Sequence, residues 1–181
     1  MLEIRVPGSE YYDEGNDLFI QVEPVILTLE HSLLSISKWE SKWHKPYLIK
    51  ERKSGKEIID YIRCMTLTQN VNPLIYNNLT EKNLQDILAY IENPMTATTF
   101  SDIAGASKKS NQIITSELIY YWMLVYNIPF ECQKWHINRL LTLIRVCNIK
   151  NEPKKSMPKQ EWAAKQRELN AQRRAALNSK G

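Results

Sequence analysis

Cys132 and His136 stand four residues apart in the segment "FECQKWHINRL". On a helix that spacing places a thiol and an imidazole on one face. Such a pair could give zinc two ligands, or act as nucleophile and base. The rest of the chain completes neither use. A structural zinc takes four ligands, and Cys147, His31 and His44 add no familiar spacing. A Cys–His catalytic pair needs an orienting third group and donors for an oxyanion, and none is identifiable. A buried thiol is the commoner role for such a cysteine.

The carboxylates Glu10, Asp13, Glu14 and Asp17 crowd one stretch and could suggest a calcium loop, but their order departs from the EF-hand pattern. A solvated acidic loop is the better account. The five glycines form no Gly-rich turn between a strand and a helix, so no phosphate-binding loop is expected. The chain is therefore not expected to be an enzyme, nor to hold a metal or a cofactor.

A chain of 181 residues with 43% hydrophobic side chains suits one domain with an appendage. Three cysteines in apolar segments fit buried thiols in a reducing compartment better than a disulfide framework. "MLEIRVPGSE" lacks the basic and apolar regions of a signal peptide. No apolar run approaches the roughly 18 residues that span a bilayer. A cytoplasmic protein, away from membranes, is expected.

Charge divides the chain. From Asn151 onward eight Lys or Arg face three Glu, whereas residues 1–150 carry 16 basic and 17 acidic side chains. A nearly neutral body, residues 1–150, is thus followed by a basic tail, residues 151–181. That tail could touch phosphates through Lys154, Lys155, Arg173 and Arg174, with Trp162 stacking on a base. The charge is dilute and interrupted by glutamates, so nucleic acid is the less favoured partner, and a protein-docking segment or solvated helix the more favoured.

The elements follow from periodicity. "LEIRV" and "LFIQV" alternate as strands do, with "PGSEYYDEGND" as the turn between them, and a strand-like pattern continues through "PVILTL". From Leu33 the period becomes helical through Ile36, Trp39 and Trp43, ending at "HKP". Ser54 and Glu57 form a capping-box pattern ahead of Ile58, Ile62 and Met65. Thr80 caps a helix with Leu84, Ile87, Leu88 and Ile91 on one stripe. "MTATTFSDIAGASKKSNQIIT" reads as a hairpin or ordered loop with weak strands. Helices over 116–126 and 132–148 are separated at Pro129. "KNEPKKSMPKQ" is a linker, and the Ala, Gln and Arg rich end is helix-prone but marginal alone. The fold class is α+β: an N-terminal β-hairpin or small sheet on a mainly helical body, with a basic C-terminal helix or tail.

The aromatic stretch "IYYWMLVYNIPFECQKWHINRLLTLI" carries more apolar surface than one helix face needs. Buried core is the commoner use of such helices, but in a short chain part of that surface can serve a partner. Tyr121, Trp122, Trp135 and Arg139 are the candidate contacts.

The strings "SLLSISKWESKWHKP", "DYIRCMTLTQNV", "PMTATTF", "IYYWM" and "NIPFECQKWHINRLLTLIRVCNIKN", with the closing basic tail, resemble the tail assembly chaperones encoded in the tail-gene cluster of long-tailed bacteriophages. The resemblance spans most of the chain and lies in the whole string rather than in any motif. It implies a non-enzymatic role in the host cytoplasm. Such proteins bind the long, helical tape measure protein, keep it from aggregating while tail tube protein polymerises around it, and are shed. A homo-oligomer suits the coating of a long rod. Many such families also make a longer product by frameshifting, and the codons of Lys154 and Lys155 are where a run of adenines could lie. Two rivals stay open: a tail or connector component kept in the virion, and a nucleic-acid-binding protein acting through its tail.

Overall fold

The computed structural model describes residues 1–49, 51–100, 113–151 and 159–177. It is an α+β protein whose first thirty residues form an interrupted antiparallel ribbon. β1 (Leu2–Val6) pairs with β4 (Val25–Leu29), and β2 (Ser9–Asp13) pairs with β3 (Leu18–Val22). Both ladders share one register, so Val6 opposite Val25 continues into Ser9 opposite Val22. Between them Pro7 falls opposite Pro24. Proline has no N–H to donate, so a proline on each strand interrupts the ladder at that level and allows the ribbon to bend.

The expected turn "PGSEYYDEGND" therefore contains a strand, Ser9–Asp13, and "LEIRV" pairs with "VILTL" rather than "LFIQV". Turn-forming residues hid a strand whose Tyr11 is anchored from outside the ribbon. Its hydroxyl, like that of Ser9, is hydrogen-bonded to Asn78 Oδ1, in the 3-10 segment Pro73–Asn78. At the tip Asp13 accepts from the Gly15 amide (3.0 Å) and the Asn16 side chain (2.8 Å), and those bonds hold its carboxyl below the usual range. The acidic cluster thus builds its own turn.

Gly8 sits where the backbone of the opposite strand approaches closely. A Cβ there would lie 2.5 Å from the Val22 carbonyl oxygen and 2.9 Å from the Pro24 nitrogen, both backbone atoms. Gly8→Ala must push the strands apart. Its expected effect is a loss of about 1–3 kcal/mol, read as a lowered urea midpoint with an unchanged slope.

α1 (Leu33–Trp43), α2 (Gly55–Met65), α3 (Glu81–Glu92), α4 (Ser116–Val125) and α5 (Ile137–Asn151) make the helical body. The capping box of α2 forms as its sequence requires, with Ser54 N–H donating to Glu57 Oε2 at 2.7 Å and Ser54 Oγ accepting from Glu57 N–H. α3 is capped by Thr80, with Asn83 closing the box. α4 ends in a Schellman motif two residues before Pro129. Asn127 is left-handed (φ 52°), and Ile128 N–H donates to Met123 O at 2.8 Å.

The core joins Ile4, Val6, Leu27 and Leu29 of the ribbon to Leu33, Ile36 and Trp39 of α1, Ile62 and Met65 of α2, Ile119 and Met123 of α4, and Ile137 and Leu140 of α5. Trp39 Nε1–H donates to Glu57 O (3.0 Å) and Trp43 Nε1–H to Asp60 (2.8 Å), locking α1 to α2. The edge beyond β4 is sealed from two sides. Glu30 N–H donates to Met65 O (2.9 Å), and Ile137 N–H donates to His31 O (2.8 Å) beside a bridge between Ser32 and His136.

The helix expected over 132–148 starts later. Phe130–Lys134 is a 3-10 segment, Trp135 is extended, and α5 begins at Ile137. Pro129 fixes the turn before the 3-10 segment rather than starting an α-helix. In the segment read as a hairpin or loop, the described residues 95–100 and 113–115 carry no strand, and its middle lies outside the described residues. The chain divides into two compact units, Met1–Cys147 and Asn148–Gly181, the second containing α6 (Lys159–Leu177). Arg173 and Arg174 lie exposed near the end of α6, where cations complement the helix dipole. Among the described residues no helix is long and apolar enough to cross a membrane.

Candidate functional site

Cys132 and His136 do not share a helix face. His136 is buried, and both ring nitrogens are engaged: Nε2 bonds the Tyr90 carbonyl oxygen (3.0 Å), and Nδ1 accepts from the Asn138 amide (3.3 Å). Those partners place the ring proton on Nε2. Nδ1 in turn satisfies a free donor in the first turn of α5. Burial pushes the Cys132 thiol up, away from the reactive thiolate form. Among the described residues no group of three or more His, Cys, Asp or Glu is placed to hold a metal ion.

His136 belongs instead to a buried polar cluster. Its ring meets His31 edge-on, with centroids 5.0 Å apart, and His31 Nδ1 is hydrogen-bonded to the Tyr61 hydroxyl. Tyr61 stacks on Tyr47 at 3.8 Å, and on the other side the Tyr90 hydroxyl donates to Glu30 Oε1 at 2.7 Å. Burial, reinforced by the neighbouring His136, lowers His31 to about 3, so both imidazoles are neutral near pH 7. A cavity of about 240 Å³ opens beside Glu30, Tyr90, His136 and Trp135.

The expected contact residues part company. Trp135 and Arg139 meet at that cavity, the guanidinium lying 4.3 Å from the ring centroid. Trp135 is half-buried against the core and Arg139 is exposed. Trp122 is half-buried against the core as well, on the flank of α4. Tyr121, 58% exposed, shares the outer face with Leu124 at 60% and Val125, at i, i+3 and i+4. Ile119 and Met123 take the inner face, so α4 is apolar on both sides but packed on one. Lys154, Lys155 and the Trp162 side chain lie outside the described part of the structure.

A second open apolar surface was not singled out by sequence. α2 buries Tyr61, Ile62 and Met65, whereas α3 buries Asn83, Ile87 and Tyr90. Ile58 on α2, with Leu84 and Leu88 on α3, is left exposed. These residues line a groove of about 380 Å³, with Lys53 and Glu51 at the end where α2 starts. The available signal was stripe width, because Ile58, Leu84 and Leu88 exceed what one packed face requires. No protein-family model, no curated protein and no solved structure matches the chain.

Proposed function

We propose that this protein is a tail assembly chaperone of a long-tailed bacteriophage, a non-enzymatic protein of the infected host's cytoplasm that binds tape measure protein until tail tube protein encloses it. The observation that carries this reading is the unpacked apolar face of α4, where Tyr121, Leu124 and Val125 are exposed together. Aromatic and aliphatic side chains in one patch are the usual anchors of a protein contact, and a helical client offers the complementary stripe. The whole-chain resemblance supplies the client's identity.

The test is co-expression with the long helical protein encoded downstream. The client is expected in the soluble fraction only when the two are made together. A Tyr121→Glu, Leu124→Glu double variant is expected to cut co-purification at least about tenfold, while its thermal unfolding stays that of the wild type. A client equally soluble alone overturns the reading, and finding the protein in purified particles would favour the virion-component alternative.

A further inference from the structure

We propose that the groove between α2 and α3 seats an amphipathic helix that carries an acidic residue at one end of its apolar stripe. This deepens the chaperone reading by assigning a surface and a ligand chemistry, and it rests on that reading only for the identity of the client.

The apolar half of the proposal comes from the groove's walls. Ile62 and Ile87 are buried at its base, and Ile58, Leu84 and Leu88 stand exposed around them, Leu88 at 56%. The 380 Å³ space has room for more than one aliphatic side chain. Two helices flanking an apolar trough are what an i, i+4, i+7 stripe fills.

The acidic half comes from Lys53. Its ammonium lies 4.5 Å from the Tyr47 ring centroid and 6.0 Å from that of Trp39, at the groove's α2 end. No carboxylate among the described residues comes within ion-pair distance of it. Glu57, the nearest buried acid in sequence, is taken by Lys45 at 2.8 Å. Partial burial lowers the Lys53 pKa against the pull of Glu57 and Glu51. A cation short of water and without a paired anion gains from an acid fixed beside it, more than a fully solvated lysine would. Glu51, exposed and lining the same groove, pulls on the Lys53 ammonium without reaching ion-pair distance, so it leaves that cation without a fixed anion.

The probe is a labelled amphipathic peptide of about four helical turns, with leucines at i, i+4 and i+7 and one glutamate at the end of the stripe. Binding is read by anisotropy and mapped by amide chemical shifts. The full chain is expected to bind it, with shifts confined to α2 and α3. Leu88→Glu and, independently, Leu84→Glu are each expected to weaken binding at least about tenfold, whereas Gln21→Lys, at an exposed position of β3, leaves it unchanged. Lys53→Glu is expected to weaken the glutamate peptide and to favour a counterpart with lysine in its place. Equal affinity for a peptide with scrambled leucines, or unchanged binding in both groove variants, overturns the proposal. The two failures are separable. A client that stays soluble with Leu88→Glu and Leu84→Glu as with wild type removes the groove and keeps the chaperone. A groove that binds the peptide beside an indifferent client keeps the groove and removes the chaperone.

Discussion

Glu40→Ala should cost about 2–5 kcal/mol of folding stability, measured as a lowered denaturant midpoint with an unchanged slope. Glu40 is a buried carboxylate on α1 whose two oxygens are both engaged by backbone. Oε1 accepts from the Tyr47 amide and Oε2 from the Ser116 amide, each at 2.7 Å. Ser116 is the first residue of α4, so the carboxylate also meets the positive end of that helix. Alanine removes the acceptor and leaves two donors, one of them fully buried, without partners. An orphaned buried amide is expensive because the unfolded chain would have given it water. Glu40→Gln should lose less, since an amide oxygen still serves one donor while its NH2 group faces the other. If alanine and glutamine were both neutral, the carboxylate would not be what fixes α4. The loss bears on function as well, because α4 carries the Tyr121 and Leu124 face.

Acidification from pH 7.5 to pH 5.0 should destabilise the protein by about 2 kcal/mol through His31 alone. Burial lowers the His31 pKa to about 3, and His136 is shifted the same way although the Tyr90 carbonyl and Glu30 pull it partly back. In the unfolded chain both imidazoles take a proton near their ordinary value of about 6.5. Below that value the unfolded state holds more protons than the folded one, so stability falls as pH falls, until His31 itself protonates near 3. Glu57, held down to about 2 first of all by Lys45, acts in the same direction below its ordinary range. His31→Gln removes the titration and should flatten the slope between pH 6.5 and 5. A midpoint that does not move over this interval in the wild type would refute the assignment of His31 as a buried neutral imidazole.

Features decided by neighbours in sequence were legible before the structure. Ser54 with Glu57, the α1 stripe through Ile36 and Trp39, and the alternation of Ile4 and Val6 each needed only a local period or a cap. What escaped depends on distant groups. The strand Ser9–Asp13 is held by Asn78, so its turn-like composition misled. The start of α5 is set by the His136 ring and the bridge to Ser32, which no spacing announces. Glu40 reads as one more solvated helical acid, because its partners are backbone amides, one of them 76 residues away. At the candidate surfaces, the sequence marked Tyr121 as apolar excess, and its side chain stands exposed. It did not separate Trp122 and Trp135, both half-buried, from side chains standing free. The groove escaped because periodicity shows how wide a stripe is, not which part of it a neighbour covers.

The seal at the edge of the ribbon has a temporal side. Ile137 donates to His31, and His136 packs on the His31 ring, so the last core helix closes a surface made by the first thirty-two residues. A chain emerging from the ribosome can form its antiparallel ribbon, α1 and α2 early, because their partners are near in sequence. It cannot cover His31 and Ser32 until more than a hundred further residues have been made. Closure across such a separation is slow relative to local pairing. The nascent protein therefore passes through an interval in which its own apolar centre is open, and a protein proposed to shield another's helices must first wait for its own last core helix to arrive.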